Sequence, residues 1–504
     1  MNQNEESNNA SASANLGSYF NNSTRSIFDE IVSSSPVDLF AQTVNTKPTA
    51  HPSRNIFESD STYDELSDQP IISDCHRDAW IPSTSTSKLL RSVATSPGIT
   101  QNVDKENLTM PGLAIAEDMT NPLKDAVVYF LGEEEAAKGN AATMLDVPQD
   151  EKGLRILIKG GCYRAAVNLT GRLLSLYGQG FGKANQPSKH TPYSLQLWFT
   201  RLCLLVKIRQ ADVLESESVL FGTLDKPDMY FMFYPELYGT RTGSMASFAF
   251  RLLLAEVPFH YGKGKKAIDN LFALLAIVKK IIKNLESDLS EEGNPVRYTA
   301  AEKNDSLNLW KARQARVIIS ITNCSLHMKN YILANELMEL LLNGNWRKDQ
   351  AEILKAAQGR MHLALGDVPA AEKNIPVSQT ENSQAEKIRD QVDRGLMAVA
   401  QNSFLEALKC FEKASELDPS NIMLKNNISV CLLYTGQLEA AVKLMENVVT
   451  LKVPQSLQEV ILLNLCTLYE LHTTHSKQSK LHLLRQINKY NGDSTNIQCL
   501  KLSI

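Results

Sequence analysis

Apolar positions in this chain follow a helical spacing from about residue 149 onward and follow no regular spacing before about residue 105. The clearest stretch starts at Asp393 and reads DRGLMAVAQNSFLEALKCFEKASELDPSN. Ala407, Phe411 and Ala414 fall at i, i+4 and i+7, one face of a single helix. Gly395 lies on the helix before it. Two helices approach closely only where side chains are small, so Gly395 and Ala407 predict a tight pair. Pro419 has no N–H and cannot continue a helix, so it marks the stop before the next pair. Helical pairs are also predicted upstream, from DEKGLRILIKG and GCYRAAVNLTGRLLSLYG through SLQLWFTRLCLLVKI and ADVLESESVL to FAFRLLLAEVPFHYG and KAIDNLFALLAIVKKIIKNL.

The pattern repeats. Gly436 and Leu438 precede Ala441, Met445 and Val448; Gly359 and Gly366 precede Ala371 and Ile375; Tyr331 precedes Ala334, Met338 and Leu341. The alanines are 34–37 residues apart, the period of the tetratricopeptide (TPR) repeat. Only the unit at 388–421 is close to that consensus, with Arg394 in place of the usual Leu. The expected fold is all-α: a TPR-like α-solenoid of stacked helical hairpins behind a disordered N-terminal tail. Each such unit buries its apolar face only by stacking on the next, which leaves a broad surface for partners. A non-catalytic binding scaffold is therefore the default reading.

The predicted division is a Ser/Asn-rich tail at 1–105, a transition segment with one helix at 106–148, irregular hairpins at 149–345, TPR repeats and a capping helix at 346–490, and a C-terminal segment at 491–504. Composition puts the tail outside the folded part, because it cannot bury enough apolar surface to offset chain entropy. Its apolar islands, SIFDEIVSSSPVDLF and DAWIPS, are candidate docking motifs. The first contains Phe28, Ile31, Val37, Leu39 and Phe40, and the second is centred on Trp80. Ser35-Pro36 and Ser96-Pro97 are weak phosphorylation candidates. In the transition segment, Asn121 and Pro122 predict a capped helix over 122–131. Loops at 223–243 and 286–304 are long for a regular array.

Charge and cysteine usage narrow the function. Lys and Arg number 52 against 56 Asp and Glu, which argues against nucleic-acid binding. Eight Cys without a C-x-x-C pair read as reduced core thiols of a cytosolic protein. The opening MNQNEESNNASASANL has neither a basic nor an apolar leader region, and the longest apolar run, about Leu271 to Val278, is far too short to span a bilayer. GQGFGKAN at 178–185 fails as a phosphate loop on spacing, on Ala184 and on its helical context, and reads as a flexible linker. His472, His475, Cys466 and His482 lack the arrangement of a zinc site. No cofactor, metal site or catalytic motif is predicted. Lys263, Lys265, Lys266, Lys279, Lys280 and Lys283 read as a solvated helix face, with contact to an acidic partner or to headgroups as the alternative.

One segment is unusual: DKPDMYFMFYPELYGTRTGSM crowds Tyr230, Phe231, Phe233, Tyr234 and Tyr238 ahead of Arg241. Tyr and Arg are enriched at interface hot spots. With Trp80, the residues Tyr230, Phe233, Tyr234, Tyr238 and Arg241 form the candidate partner-binding set. The alternative is that the loop packs into the solenoid's own groove.

Several segments together resemble the family of the twelfth subunit of the transport protein particle (TRAPP) complex. They are DAWIPS, LTMPGL at 108–113, LIKGGCYRAAVNLTGRLL at 157–174, the YPELYGTRTGSM loop, LLLAEVP at 252–258, LLNLCTLYEL at 462–471 and NIQCLKL at 496–502. The resemblance runs from about Asp78 to the C-terminus. It implies a non-catalytic subunit of a TRAPP III-like tethering assembly in ER-to-Golgi transport. Its implied partners are the eighth and eleventh subunits, with core subunits and Rab or coat machinery reached through the complex. It also implies a cytoplasmic protein, peripheral at the ER–Golgi intermediate compartment and Golgi, with a secondary link to mitotic chromosome congression. A second reading rests on the repeats alone: a co-chaperone clamping acidic peptide tails, which needs Lys and Asn along the first-helix faces; the C-terminal array has Arg360, Arg394, Lys425, Asn426 and Asn427 but no ordered clamp set.

Overall fold

The computed structural model describes residues 78–95, 103–296, 298–344, 348–375, 384–451 and 453–502. The first docking island and both Ser-Pro pairs lie outside these residues. The main helices are α1 (Thr84–Thr95), α2 (Pro122–Leu131), α3 (Glu151–Lys159), α4 (Tyr163–Leu176), α5 (Pro192–Lys207) and α6 (Ala211–Ser218), followed by α7 (Phe248–His260), α8 (Gly264–Glu286), α9 (Ala300–His327) and α10 (Tyr331–Leu342). The chain continues through α11 (Lys348–Leu365), α12 (Val368–Asn374), α13 (Gln384–Ala400), α14 (Phe404–Leu417), α15 (Ile422–Tyr434), α16 (Leu438–Leu451), α17 (Glu459–His472) and α18 (Ser476–Tyr490). Pairing among the described residues is limited to isolated bridges, as at Leu113–Phe181 and Tyr230–Ser244. The protein is an all-α, TPR-like stack of helical hairpins.

One turn builds most of the stack. Gly161, Arg209, Gly262, Lys329, Gly366, Asn402 and Gly436 all adopt left-handed φ between 59° and 83°. In every case the next residue donates its N–H back across the helix end, from Cys162 to Leu157 O through Gln437 to Leu432 O, at 2.8–3.1 Å. That bond satisfies a carbonyl the helix would otherwise leave open. Five residues after each left-handed position stand Ala166, Leu214, Ala267, Ala334, Ala371, Ala407 and Ala441, all in the core. The steps between them are 34–37 residues from Ala334 onward but 48–67 before it. The irregular first half therefore uses the same hairpin, with long insertions between copies.

The pair at α13 and α14 shows why small residues are needed. A Cβ on Gly395 would sit 2.7 Å from Phe411 Cε1, so any side chain there would push the helices apart. Ala407, Phe411 and Ala414 are buried opposite it. Gly359 plays the same part against Ile375, and Pro419 follows the end of α14 at Leu417.

The two ends of the stack meet. Asp493 accepts hydrogen bonds from the N–H groups of Arg164 (3.0 Å) and Ala165 (2.8 Å). It thereby caps α4, whose own N-cap residue, Cys162, offers no side-chain bond. Asn488 donates to Glu135 O at 2.7 Å and accepts from Asn140 N–H at 3.1 Å. α2, capped as expected by Asn121, shares a core with α16, α17 and α18. An open superhelix would leave these end faces to water.

The expected tail is too long at its C-terminal end. Residues 78–95 form a strap ending in α1, with Trp80, Leu90 and Val93 buried against the main core. Ser and Thr dominate the strap, and composition therefore hides it. Five apolar side chains, Ala79, Trp80, Ile81, Leu90 and Val93, anchor it in the main core.

Candidate interaction surface at the strap and aromatic loop

Four segments far apart in sequence converge beside α5 and α7: the strap, residues 108–113, the turn at 178–185 and the loop at 222–247. The strap joins the loop through backbone and carboxylate bonds. Ser244 N–H donates to Asp78 O at 2.8 Å, Ser83 N–H to Asp225 Oδ1 at 3.0 Å, and Thr86 Oγ1 to Asp225 O at 2.7 Å. Gly243, at φ 95°, lies so close that a Cβ would meet Asp78 O at 2.8 Å.

The buried pivot is Arg251 on α7. It donates to Thr223 O (3.2 Å), Leu224 O (3.0 Å) and Ser244 Oγ (2.7 Å), and its guanidinium lies 4.2 Å from the centre of the Trp80 ring. One side chain thus fixes both ends of the loop and holds the strap. Such a cation is tolerated in a core only because its donors are met and a ring face receives it. Trp80 in turn packs on Trp310, ring centres 6.4 Å apart.

Residues 108–113 and 178–185 are laced together. Asn185 N–H bonds Met110 O at 3.0 Å, and Leu113 N–H bonds Gly180 O at 3.3 Å. Gln179 is buried, with its Oε1 accepting from Trp198 Nε1 at 2.7 Å. The turn at 178–185 is therefore a docking ledge and not a free linker. Below it, Thr109 O faces His190 Nε2 at 2.8 Å, and Thr109 N–H bonds Asp228. Burial holds His190 down at about 4, neutral near pH 7, and pushes Asp228 up to about 7. Both shifts come from desolvation of the charged form.

The structure brings all six candidate binding residues to one place but treats them differently. Tyr230, Phe233 and Trp80 are buried, so the chain itself covers them. Tyr230 donates to Asp225 Oδ1 at 3.1 Å. Tyr234, Tyr238 and Arg241 are half-buried. Tyr234 accepts from His190 N–H at 3.3 Å, Tyr238 lies edge-on to Phe231, and Arg241 pairs with Asp78 while covering the Phe231 ring at 4.0 Å. The outward part is the short turn Pro235–Tyr238 and the residues to Thr242, led by Leu237 at 56% exposure. Sequence reading passed over Leu237, Asp78, Asp225 and Arg251. Arg251 had a signal, a lone charge inside FAFRLLLAEVP, and Leu237 had none.

Elsewhere two members of the acidic-tail clamp set are engaged within the fold. Arg360 is buried and paired with Asp393 at 2.8 Å, joining α11 to α13. Asn426 accepts from Asn464 at 2.8 Å, joining α15 to α17. Arg394 is exposed and Lys425 half-buried. Among the described residues there is no cluster of His, Cys, Asp or Glu that could hold a metal, and no helix is long and apolar enough to cross a membrane.

Fold and junction together define a protein of stacked helical hairpins whose ordered loops are part of its packing. Over 434 residues the chain is 40% identical to mouse (Mus musculus) trafficking protein particle complex subunit 12, covering 85% of this chain and 54% of that protein. The human (Homo sapiens) protein of the same name is 39% identical over 434 residues, covering 85% of this chain and 59% of the relative. The chain therefore resembles the TRAPP subunit 12 family across most of its length, and it spans a little over half the length of these curated relatives. No family model matches it.

Proposed function

We propose that this chain is a non-catalytic scaffold subunit of a TRAPP complex, TRAPP III-like, acting in vesicle tethering between ER and Golgi. The observation that carries this reading is the 40% identity over 434 residues to a protein named as a subunit of that complex. The fold supports it, because a stack of hairpins offers extended faces for partners. The eighth and eleventh subunits are the expected direct contacts. Core subunits and the Rab or coat machinery are reached through them, and the protein works from the cytoplasm at the intermediate compartment and Golgi. A secondary role in chromosome congression belongs to the same reading. Within it, the rim of Leu237, Tyr238 and Arg241 is the contact surface, since Tyr230, Phe233 and Trp80 serve the fold. The co-chaperone reading is disfavoured by Arg360 and Asn426, which are spent on helix-to-helix bonds.

The test is affinity purification of the tagged chain with identification of what co-purifies. Recovery of other TRAPP subunits is expected, and a pair of changes, Leu237→Ala with Tyr238→Ala, should weaken it about thirtyfold if the rim holds one hot spot. Purification with chaperones in place of TRAPP subunits overturns the proposal.

A further inference from the structure

The longest outward helix face in the first half of the stack is that of α8. Ala267, Leu271, Leu274, Val278 and Ile281 face the core. The opposite side exposes Lys265, Lys266, Phe272, Ala273, Ala276, Lys279, Lys280 and Lys283. Lys265, Phe272, Ala276, Lys279 and Lys283 follow steps of seven, four, three and four residues, which puts them in one row. The row runs for about 27 Å at the helical rise.

These lysines outnumber the exposed acids on this helix, Asp269 and Glu286. None of the five forms an ion pair with a described residue, in a chain whose formal charge is −4. The acidic groups at the two ends of the helix are already taken: Glu215 pairs with Lys263, and Asp288 pairs with Lys303. On the helix itself Asp269 lies among the lysines and Glu286 beyond them, both exposed. In the middle sits a single large apolar side chain, Phe272, at 38% exposure.

We propose that the outer face of α8 is a docking surface for an anionic lipid bilayer, bound at headgroup level with Phe272 reaching the interface. A partner helix would need an apolar groove to hold it, and this face offers one aromatic ring and two alanines. Five ammonium groups, three along the row and two beside it, instead match a broad anionic plane, where each Lys contributes about fivefold in affinity. Phe is suited to the boundary between headgroups and acyl chains. This surface does not depend on membership of any complex.

The test is co-sedimentation of the full chain with vesicles of phosphatidylcholine alone and of phosphatidylcholine with phosphatidylserine. Binding to the anionic vesicles only is expected, weakening as salt rises. The triple change Lys279→Glu, Lys280→Glu and Lys283→Glu should reduce it on the order of a hundredfold. Lys265→Glu with Lys266→Glu, at the other end, should reduce it by more than tenfold. All five side chains are exposed, so unchanged melting temperatures are expected and confirm that the fold is intact. Equal binding to both kinds of vesicle, no binding to either, or full binding by the folded triple variant overturns the proposal. If the wild-type chain ignores vesicles while the triple variant loses a co-purifying protein, the face belongs to an acidic protein partner and the lipid assignment falls.

Discussion

Between α11 and α17 each helical pair packs on the next pair, whereas around α5 to α9 the packing is completed by residues 78–95 and 103–113. The two regions share one turn and one buried position after it, Ala407 in the first and Ala267 in the second. They differ in what fills the space between hairpins. The regular region needs only neighbours, which makes its stability a sum of local interfaces. The strapped region depends on bonds such as Arg241 to Asp78 and Thr86 to Asp225, across more than 130 residues of sequence. A local change should therefore stay local in one region and spread in the other.

The largest effect is expected at Arg251. Arg251→Ala takes the donor from the carbonyls of Thr223 and Leu224, leaves the Ser244 hydroxyl with Ala246 N–H as its donor and removes the cation over Trp80. Orphaned buried polar groups of this kind cost about 3–5 kcal/mol together. Denaturant unfolding should show that loss, and hydrogen exchange should rise across 78–95, 108–113 and 222–247 at once. A loss confined to α7 would show that the strap and loop are not held through this side chain.

Ala407→Trp is the counterpart in the regular region. Overpacking the contact beneath Gly395 should cost about 1–3 kcal/mol. The faster exchange should centre on α13 to α15 and leave the strap unchanged. Equal disturbance of both regions would remove the distinction drawn between them.

The same contrast decides what the sequence disclosed. The hairpins at Ala334, Ala371, Ala407 and Ala441 were legible because their spacing is short and the buried position is a small residue each time. The earlier copies at Ala166, Leu214 and Ala267 use the same turn, but insertions of unequal length hide the period. Strap contacts are illegible for a different reason: Asp78, Ser83 and Thr86 act through hydrogen bonds, and polar residues in a Ser/Thr-rich stretch look like tail. The aromatic loop drew notice for its composition, yet composition does not say which rings turn inward. Three of the six candidate residues did, and the exposed neighbour, Leu237, was the one passed over.

Beneath the loop, His190 and Asp228 give a prediction in pH. Asp228, at about 7 in the fold against 3.8 when free, keeps a proton that the unfolded chain releases. Its contribution is present at low pH and lost as pH rises toward 7. His190, at about 4 against 6.5, refuses a proton that the unfolded chain takes up. Its contribution is present above 6.5 and lost as pH falls. Between about 4 and 6.5 the two slopes oppose and nearly cancel. Asp228→Asn still accepts from Thr109 N–H but no longer titrates, so stability should then rise with pH by about 1.4 kcal/mol per unit across that window. A variant as flat as the wild type would show that His190 takes up its proton in the fold as readily as in the unfolded chain.

The smallest effect is expected where the two regions join. Asp493 caps α4 from the far end of the chain, and helix caps of this type contribute about 0.5–2 kcal/mol. Asp493→Ala should cost about 1 kcal/mol in global stability, while Asp493→Asn, which can keep one acceptor, should cost less. The more telling readout is local. Gly492 lies against Gly161, where a Cβ would meet the backbone at 2.4 Å, so the seam has no room to repack around a lost carboxylate. Hydrogen exchange should quicken both at the start of α4 and at the end of α18, two places that nearest-neighbour coupling alone would keep independent. Faster exchange in α4 with α18 unaffected would mean that Asp493 only caps a helix. Faster exchange in both means that the cap is a clasp, and that closure of the stack couples the strapped region to the regular one.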